Sequence, residues 1–476
     1  MIKEFISKAQ SGEIDIVEHT HKILEEAKKI NKEYGYFTAI TDDLALQNAK
    51  KAKEESKKEK SIRRNLLGVP LSVKDAICIK DVETTACSRI LEGYKPVFNA
   101  TVIEKCLMNG AVIIGKTVQD EFGFGGFSVN AGKGYNAPKN PFDRERSTGG
   151  SSGGCAGFTQ KTRFTHVSLG ESTGGSIAEP ASFCGVVGLC PTYGRVSRYG
   201  LLDFANSLDK IGPIAKSVED AAVLLGAIAG HDENESTSSP NPAEDYAGFA
   251  GKPVKGMKIA VIKEAFGDGV DKNIEDNIWL GIKKLEKEGA GYEEISLSFP
   301  IKYGIPAYYL LSSTEASTNL AKYCGMRYGK HELLKGNFDE YFTKVRSLNL
   351  GDEAKRRIML GTFARMAGYR DAYYIKALKI RAKMILEYKK ALSKFDALLT
   401  PTSPVLPPKF SDIEKLTPLQ QYMLDVLTVG PNIAGLPHIS IPTGSHKSLP
   451  IGTMLTGDHF CEDKLIQLGS ALEQSQ

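Results

Sequence analysis

The sequence contains no run of eighteen consecutive apolar residues, so no membrane-spanning helix is expected. Its opening, MIKEFISKAQSGEIDIVEH, carries acids and lacks an apolar h-region, so neither a secretory signal nor a typical transit peptide is expected there. The 8 cysteines include no Cys-x-x-Cys pair. That argues against a disulfide framework and for reduced, mostly buried thiols in a cytoplasmic protein. The 8 histidines include no His-Glu-x-x-His, and His19 and His21 would face different sides of a helix, so no metal site is expected. A strong excess of one charge is also missing: 61 Lys and Arg stand against 57 Asp and Glu, a net +4. Nothing global therefore points to a nucleic-acid partner. The one local exception is residues 48–64, with eight Lys or Arg against three Glu. Such a stretch could meet RNA, but a solvated helix face is the favoured reading.

What remains is an ordinary globular composition, 41% hydrophobic and 25% charged over 476 residues, enough for one large α/β domain with insertions. Ile16, Val17, Thr20, Ile23, Leu24 and Ala27 recur at helical spacing and predict an amphipathic first helix over 14–30. YGYFTAIT then reads as a strand and 42–60 as a helix. ATVIEKCLMNG predicts a helix ending at Gly110, and AVIIGKT a buried strand. The strand MKIAVI, a helix over 270–289 and a strand over 291–299 repeat the alternation, and a long helix over 372–395 runs into DALLTPTSP. Strands alternating with helices predict an α/β fold with a mixed sheet. Residues 231–253, polar and rich in Pro and Gly, read as an exposed loop between two parts of one domain, and PTSPVLPPKF as a second loop.

Two motif matches fail on context. GAVIIGKT, residues 110–117, fits Gly-x-x-x-x-Gly-Lys-Thr, but a helix precedes Gly110 and Ala-Val-Ile-Ile makes a strand where a phosphate-cradling loop is needed. GGSSG, residues 149–153, fits Gly-x-Ser-x-Gly, but the polar NPFDRERST runs into it instead of a hydrophobic strand. That weakens an ordinary Ser-His-Asp hydrolase with Ser151 as nucleophile, and a lone His438 in GLPHISIP reads better as a satisfied structural residue.

Three other stretches each leave a question open. RSTGGSSGGC, residues 146–155, has the composition of a linker, yet glycine also serves where a chain must come close to a ligand. HVSLGESTGGSIAEPASFCGVVG, residues 166–188, breaks from a short strand into Thr173, Gly174, Gly175 and Ser176. Their amides either converge as an anion-holding nest around a nucleophilic serine or form a plain turn. GVPLSVKDAI, residues 68–77, sets Lys74 among Leu71, Val73, Ala76 and Ile77. A lysine drawn into an apolar site can act as a neutral base, whereas Asp75 beside it suggests a plain ion pair.

Taken together, and in this order along the chain, the three stretches resemble the amidase-signature family, with its Gly-Val-Pro-x-x-x-Lys-Asp, Gly-Gly-Ser-Ser-Gly-Gly and Thr-Gly-Gly-Ser-Ile elements. The resemblance implies a central mixed, twisted sheet covered by helices on both faces, in a single domain over 1–476 with a helical N-terminal segment (1–64) and a catalytic core of 68–225 plus 257–460. It also implies a Ser–cis-Ser–Lys triad. Ser176 would be the nucleophile, with Thr173, Gly174, Gly175 and Ser176 as oxyanion hole. Ser151, preferred over Ser152 and following a cis bond after Gly150, would shuttle the proton, and Lys74 would be the base. The segments 308–329, 355–377 and 425–442 narrow the resemblance to the glutaminase components of tRNA-dependent amidotransferases. By that likeness Arg357 would hold the α-carboxylate of glutamine and Asp425 its α-ammonium, with Tyr309 nearby, while Arg356 stays a surface residue. The implied reaction is glutamine hydrolysis through an acyl-Ser176 ester, with ammonia passed to a B subunit that amidates Glu-tRNA(Gln) and/or Asp-tRNA(Asn) using ATP and Mg²⁺. A small C subunit would link the two. No cofactor is expected in this chain, and mischarged tRNA is expected to be gripped mainly by the partner. The sequence departs from the family at Ser172, Ala178 and Glu179, where Asp, Arg and Gln are usual. A free-standing amidase acting on another amide is the alternative, and a non-catalytic scaffold a third reading. Arg357 and Asp425 favour an amino-acid substrate.

Overall fold

In a computed structural model, which describes residues 1–57, 64–132 and 134–474, the chain builds one sheet of eleven strands. They are β1 (Phe37–Ile40), β2 (Pro70–Lys74), β3 (Val112–Thr117), β4 (Val167–Ser172), β5 (Val187–Cys190) and β6 (Lys210–Ala215), then β7 (Lys258–Ile262), β8 (Gly291–Ile295), β9 (Ala397–Pro401), β10 (His438–His446) and β11 (Leu449–Thr456). Their order across the sheet is β1-β3-β2-β4-β6-β5-β10-β11-β9-β7-β8. β2 runs parallel to β3 and β4, and β7 parallel to β8 and β9, while the strands between are antiparallel, so the sheet is mixed as expected.

Alternation along the strands builds a core on each face. Leu71, Val73, Val187, Leu189, Ile439 and Ile441 join one large core with the helices Val218–Ile228, Lys272–Lys287 and Glu462–Gln474. On the other face Cys155 and Ala156 of the helix Gly153–Lys161 meet Ala181 and Cys184 of the helix Ala178–Cys184, with Cys190 and Ile214 of the sheet beneath. A third core, rich in aromatic side chains, joins the helices Ser298–Asn319, Phe338–Asn349, Asp352–Arg365 and Lys376–Leu392 to Phe122, Phe124 and Phe204.

The predicted elements are found with shifted ends. The helix expected over 14–30 is Ile16–Tyr34, started by Asp15, whose carboxylate accepts the amides of Val17 and Glu18. A shorter helix, Ile2–Ser11, precedes it and has no counterpart among the sequence-based expectations. The helix expected over 42–60 is Asp42–Ser56, and the rest of that expectation, with part of the basic stretch, falls on residues 58–63, outside the described residues. The strand expected over 291–299 stops at Ile295, and Ser298 already begins the next helix. GAVIIGKT holds β3, in keeping with the rejection of a phosphate loop. Residues 231–253 are irregular and mostly exposed, anchored by the buried Asp232, Ser238 and Tyr246. Among the described residues no helix is long and apolar enough to cross a membrane.

Candidate active site

Lys74 is the last residue of β2 and is fully buried. Because neighbours in an extended chain face opposite ways, Lys74 and Asp75 part company. Asp75 turns toward Lys116, 3.1 Å away, and accepts the amide and hydroxyl of Thr85. The ion pair that Asp75 suggested for Lys74 is therefore absent. The expected apolar surroundings are absent too, since Leu71 and Val73 belong to the core on the opposite face. The Lys74 amine donates to Ser151 Oγ at 2.7 Å, to the main-chain oxygen of Glu171 at 2.8 Å and to Glu171 Oε2 at 2.7 Å. Glu171 is a site residue that sequence reasoning missed. The signal was there: a lone acid in the otherwise uncharged VSLGES.

Ser151 is held by a loop with no freedom to behave as a linker. The Gly150–Ser151 bond is cis, as the resemblance implied. The Gly150 amide donates to Gly126 O at 2.7 Å, and Ser128 Oγ donates to Gly149 O at 2.7 Å. A Cβ on Gly150 would lie 2.2 Å from Asp120 Oδ2, so only glycine fits. Burial pushes the Asp120 carboxyl up to about 6 even though it accepts the amides of Ser128 and Asn130. Ser152 points elsewhere: its hydroxyl donates to the main chain of Glu171 at 3.1 Å, while its amide donates to Ser176 O at 3.2 Å. That last bond ties the two serine motifs together.

Ser176 lies between β4 and the helix Ala178–Cys184 and keeps 7% of its surface exposed. The loop Thr173–Ser176 abuts the elements of the second half of the chain. A Cβ on Gly175 would meet Thr428 Oγ1 at 2.4 Å and Asp425 Oδ1 at 3.4 Å, so glycine lets the loop approach Asp425.

Arg357, on the helix Asp352–Arg365, is buried, and its Nε donates to Glu353 Oε1 at 2.8 Å. Its guanidinium lies over the Tyr309 ring, 4.7 Å from the centroid, and over Tyr422 at 5.1 Å. Burial opposes its charge, but Tyr309 and Glu353 more than offset that and hold its proton affinity above the ordinary value. Tyr309 donates its hydroxyl to Asp425 Oδ2 at 2.8 Å. Burial raises the Asp425 carboxyl to about 6, an effect opposed by the Tyr309 hydrogen bond and by Arg357. Tyr309 thus touches both charged groups, a closer role than proximity alone suggested. Tyr422, not singled out from sequence, stacks on Tyr309 at 3.9 Å and donates to Glu353. Arg356 is exposed and pairs with Glu353.

At the positions that depart from the family pattern, Ser172 reaches Asn432 at 3.5 Å, and the Glu179 carboxyl, pushed well up by burial and then by Asp425, is kept neutral. His438 is bonded locally, Nδ1 to Leu436 O at 3.3 Å, and burial holds its imidazole well below the ordinary value, which suits a structural residue. Chemically, the cluster offers a hydroxyl in hydrogen-bond contact with an amine, a second serine in an amide-rich loop, and a buried cation and carboxyl joined by a tyrosine.

Residues 18–466 match the family described as Amidase. The chain is 42% identical to the A subunit of glutamyl-tRNA(Gln) amidotransferase from Thermoanaerobacter pseudethanolicus, covering 100% of this chain and 96% of that protein. It is 44% identical to the protein of the same name from Carboxydothermus hydrogenoformans, over 99% and 96% of the two chains. The crystal structure of the corresponding glutamyl-tRNA(Gln) amidotransferase protein from Thermotoga maritima superposes with a TM-score of 0.78 at 36% identity, covering 96% of this chain and 92% of that one. With the family match spanning nearly the whole sequence and relatives this similar end to end, the chain belongs to the amidase family.

Proposed function

We propose that this chain is the glutaminase subunit of a tRNA-dependent amidotransferase. The observation that carries the amide chemistry is the 2.7 Å contact of the Lys74 amine with Ser151, in a loop whose next amide is bonded to Ser176. In this reading Lys74, as the free amine, takes the proton of Ser151 while Ser151 takes that of Ser176. Serine is a weak nucleophile until a neighbour removes its proton. The Ser176 oxygen attacks the carboxamide carbon, and the amides of Thr173, Gly174, Gly175 and Ser176 hold the oxyanion. The proton returns through Ser151 to the leaving nitrogen, ammonia departs, and water cleaves the acyl-Ser176 ester to glutamate.

Arg357 and Asp425 would hold the α-carboxylate and α-ammonium of glutamine, with Tyr309 fixing the spacing between them. A free-standing amidase on a simple amide has no use for a buried pair of that kind. The relatives' names support the rest: ammonia goes to B and C partner subunits, where the B subunit uses ATP and Mg²⁺ to amidate Glu-tRNA(Gln) and/or Asp-tRNA(Asn), and the assembly works in the cytoplasm as one amidase domain (1–476) with its partners. The test is ammonia release from glutamine, and amidation of each mischarged tRNA, by the chain purified with its partner subunits. Ser176→Ala should abolish both the release and glutamine-dependent amidation. Release at the normal rate by that variant would overturn the mechanism.

A further inference from the structure

Glu171 is 3% exposed, and its two carboxylate oxygens have different partners. Oε2 accepts the Lys74 amine at 2.7 Å, and Oε1 accepts the Thr173 hydroxyl at 2.9 Å. The same Thr173 hydroxyl lies 2.7 Å from Asp209 Oδ1. A hydroxyl has one proton and cannot donate to both carboxyls, so one of them must carry a proton of its own and donate to the threonine oxygen. Asp209 suits that role. Burial, and then the charge of Glu171, push its carboxyl well up. Its Oδ2 already accepts the amides of Phe204 and Ala205, both at 2.9 Å, which leaves Oδ1 for the proton. The chain Asp209–Thr173–Glu171–Lys74 therefore ends in a carboxylate facing an amine inside a dry site.

We propose that Glu171 is a positioning residue that sets the charge state of Lys74, holding the resting amine as an ammonium so that the serine relay becomes competent only when that proton is lost. The inference rests on the reading of Lys74 as the relay base. An opposite charge at hydrogen-bond distance favours the charged form of a buried amine, whereas burial without one favours the neutral form. Other groups face the pair. Asp120 and the Cys155 thiol, the latter pushed up to about 11 by burial, lie on the Lys74 side. Asp209, Tyr308 and Cys190 lie on the Glu171 side. Among the described residues the carboxylate in ion-pair contact with Lys74 is that of Glu171.

The test is the pH dependence of Ser176 sulfonylation by phenylmethylsulfonyl fluoride, in the chain with its partner subunits. The serine oxygen displaces fluoride from sulfur and the relay takes the proton. This probe needs neither Arg357 nor Asp425, so the titration of Asp425 does not enter. In Glu171→Gln the acid limb should move to lower pH by about one to three units, a ten- to thousandfold gain in rate at the foot of the limb. Glu171→Asp, which keeps the charge, should leave the limb near its original place. An unmoved limb in an active Glu171→Gln enzyme would overturn the inference and leave the triad standing. Sulfonylation of Lys74→Ala at the normal rate would instead overturn the triad. Independently of any variant, the ¹⁵N shift of Lys74 Nζ in the unmodified protein should report an ammonium at pH 7, and a free amine there would also overturn it.

Discussion

Two lysines on adjacent strands are buried to the same degree and answer to different purposes. Lys74 ends β2 and Lys116 lies in β3, with Val73 paired to Lys116 and Lys74 to Thr117 in the parallel register. Both are fully buried, and both have a carboxylate partner. Lys116 spends its other bonds on the main-chain oxygen of Ile77 at 2.8 Å and on Thr84 at 2.9 Å, groups that hold the chain in place. Lys74 adds the hydroxyl of Ser151, which borders a second serine. Neither burial nor ion pairing marks a base, since the two sites share them. What separates the sites is a transferable proton at the far side of the amine.

The comparison breaks or sharpens under substitution. Lys74→Ala should lower glutamine hydrolysis about a thousandfold or more, as expected when a general base is removed, with Ser151→Ala close behind in the same ammonia-release assay. Lys116→Met should do the reverse. It leaves Asp75 buried without its cation and should cost about 3–5 kcal/mol of stability in urea unfolding, while turnover per folded molecule stays within a few fold. If Lys116→Met were as inactive as Lys74→Ala and no less stable than the native chain, the contrast would collapse.

The arginines allow a parallel contrast. Asp425→Asn or Arg357→Lys should raise KM for glutamine about ten- to a hundredfold, the scale of a lost charged hydrogen bond. The pH dependence follows with a definite sign. Because the Asp425 carboxyl is raised to about 6, it is charged above that pH and neutral below it. KM should therefore climb as pH falls through about 6, and Asp425→Asn should erase that rise. The smallest effect belongs to Arg356→Ala, next door on the same helix. It is half exposed and paired only to Glu353, so KM and stability should shift by no more than about 0.5 kcal/mol.

Much of the site was legible because it is written in short, contiguous motifs. Lys74, the cis bond before Ser151 and the loop around Ser176 could each be located from a few residues. The charged surroundings of Lys74 could not. Its partner Glu171 lies far away in sequence, while the acid beside it points to the other face of the strand, so local reading favoured the wrong carboxylate. The helix Ile2–Ser11 escaped for a different reason. It buries only Ile2, Phe5 and Ala9, too sparse a stripe to stand out, and its start is held by the main chain and amino group at residues 1 and 2 bonding to the distant Asp220. Tyr422 was similarly silent, because stacking between aromatic rings leaves no periodic trace.

The sheet order places β1 to β6 on one side and β7 to β11 on the other, joined where β5 meets β10 through pairs such as Leu189 with Ile439. Lys74, Ser151 and Ser176 belong to the first block, and Tyr309, Arg357 and Asp425 to the second. The tools for bond breaking and the grip on the amino acid are thus built by separate stretches of chain and become one device only along a single three-pair seam. Loosening that seam would blunt recognition before it blunted reactivity, leaving a serine able to react with a small electrophile yet indifferent to glutamine.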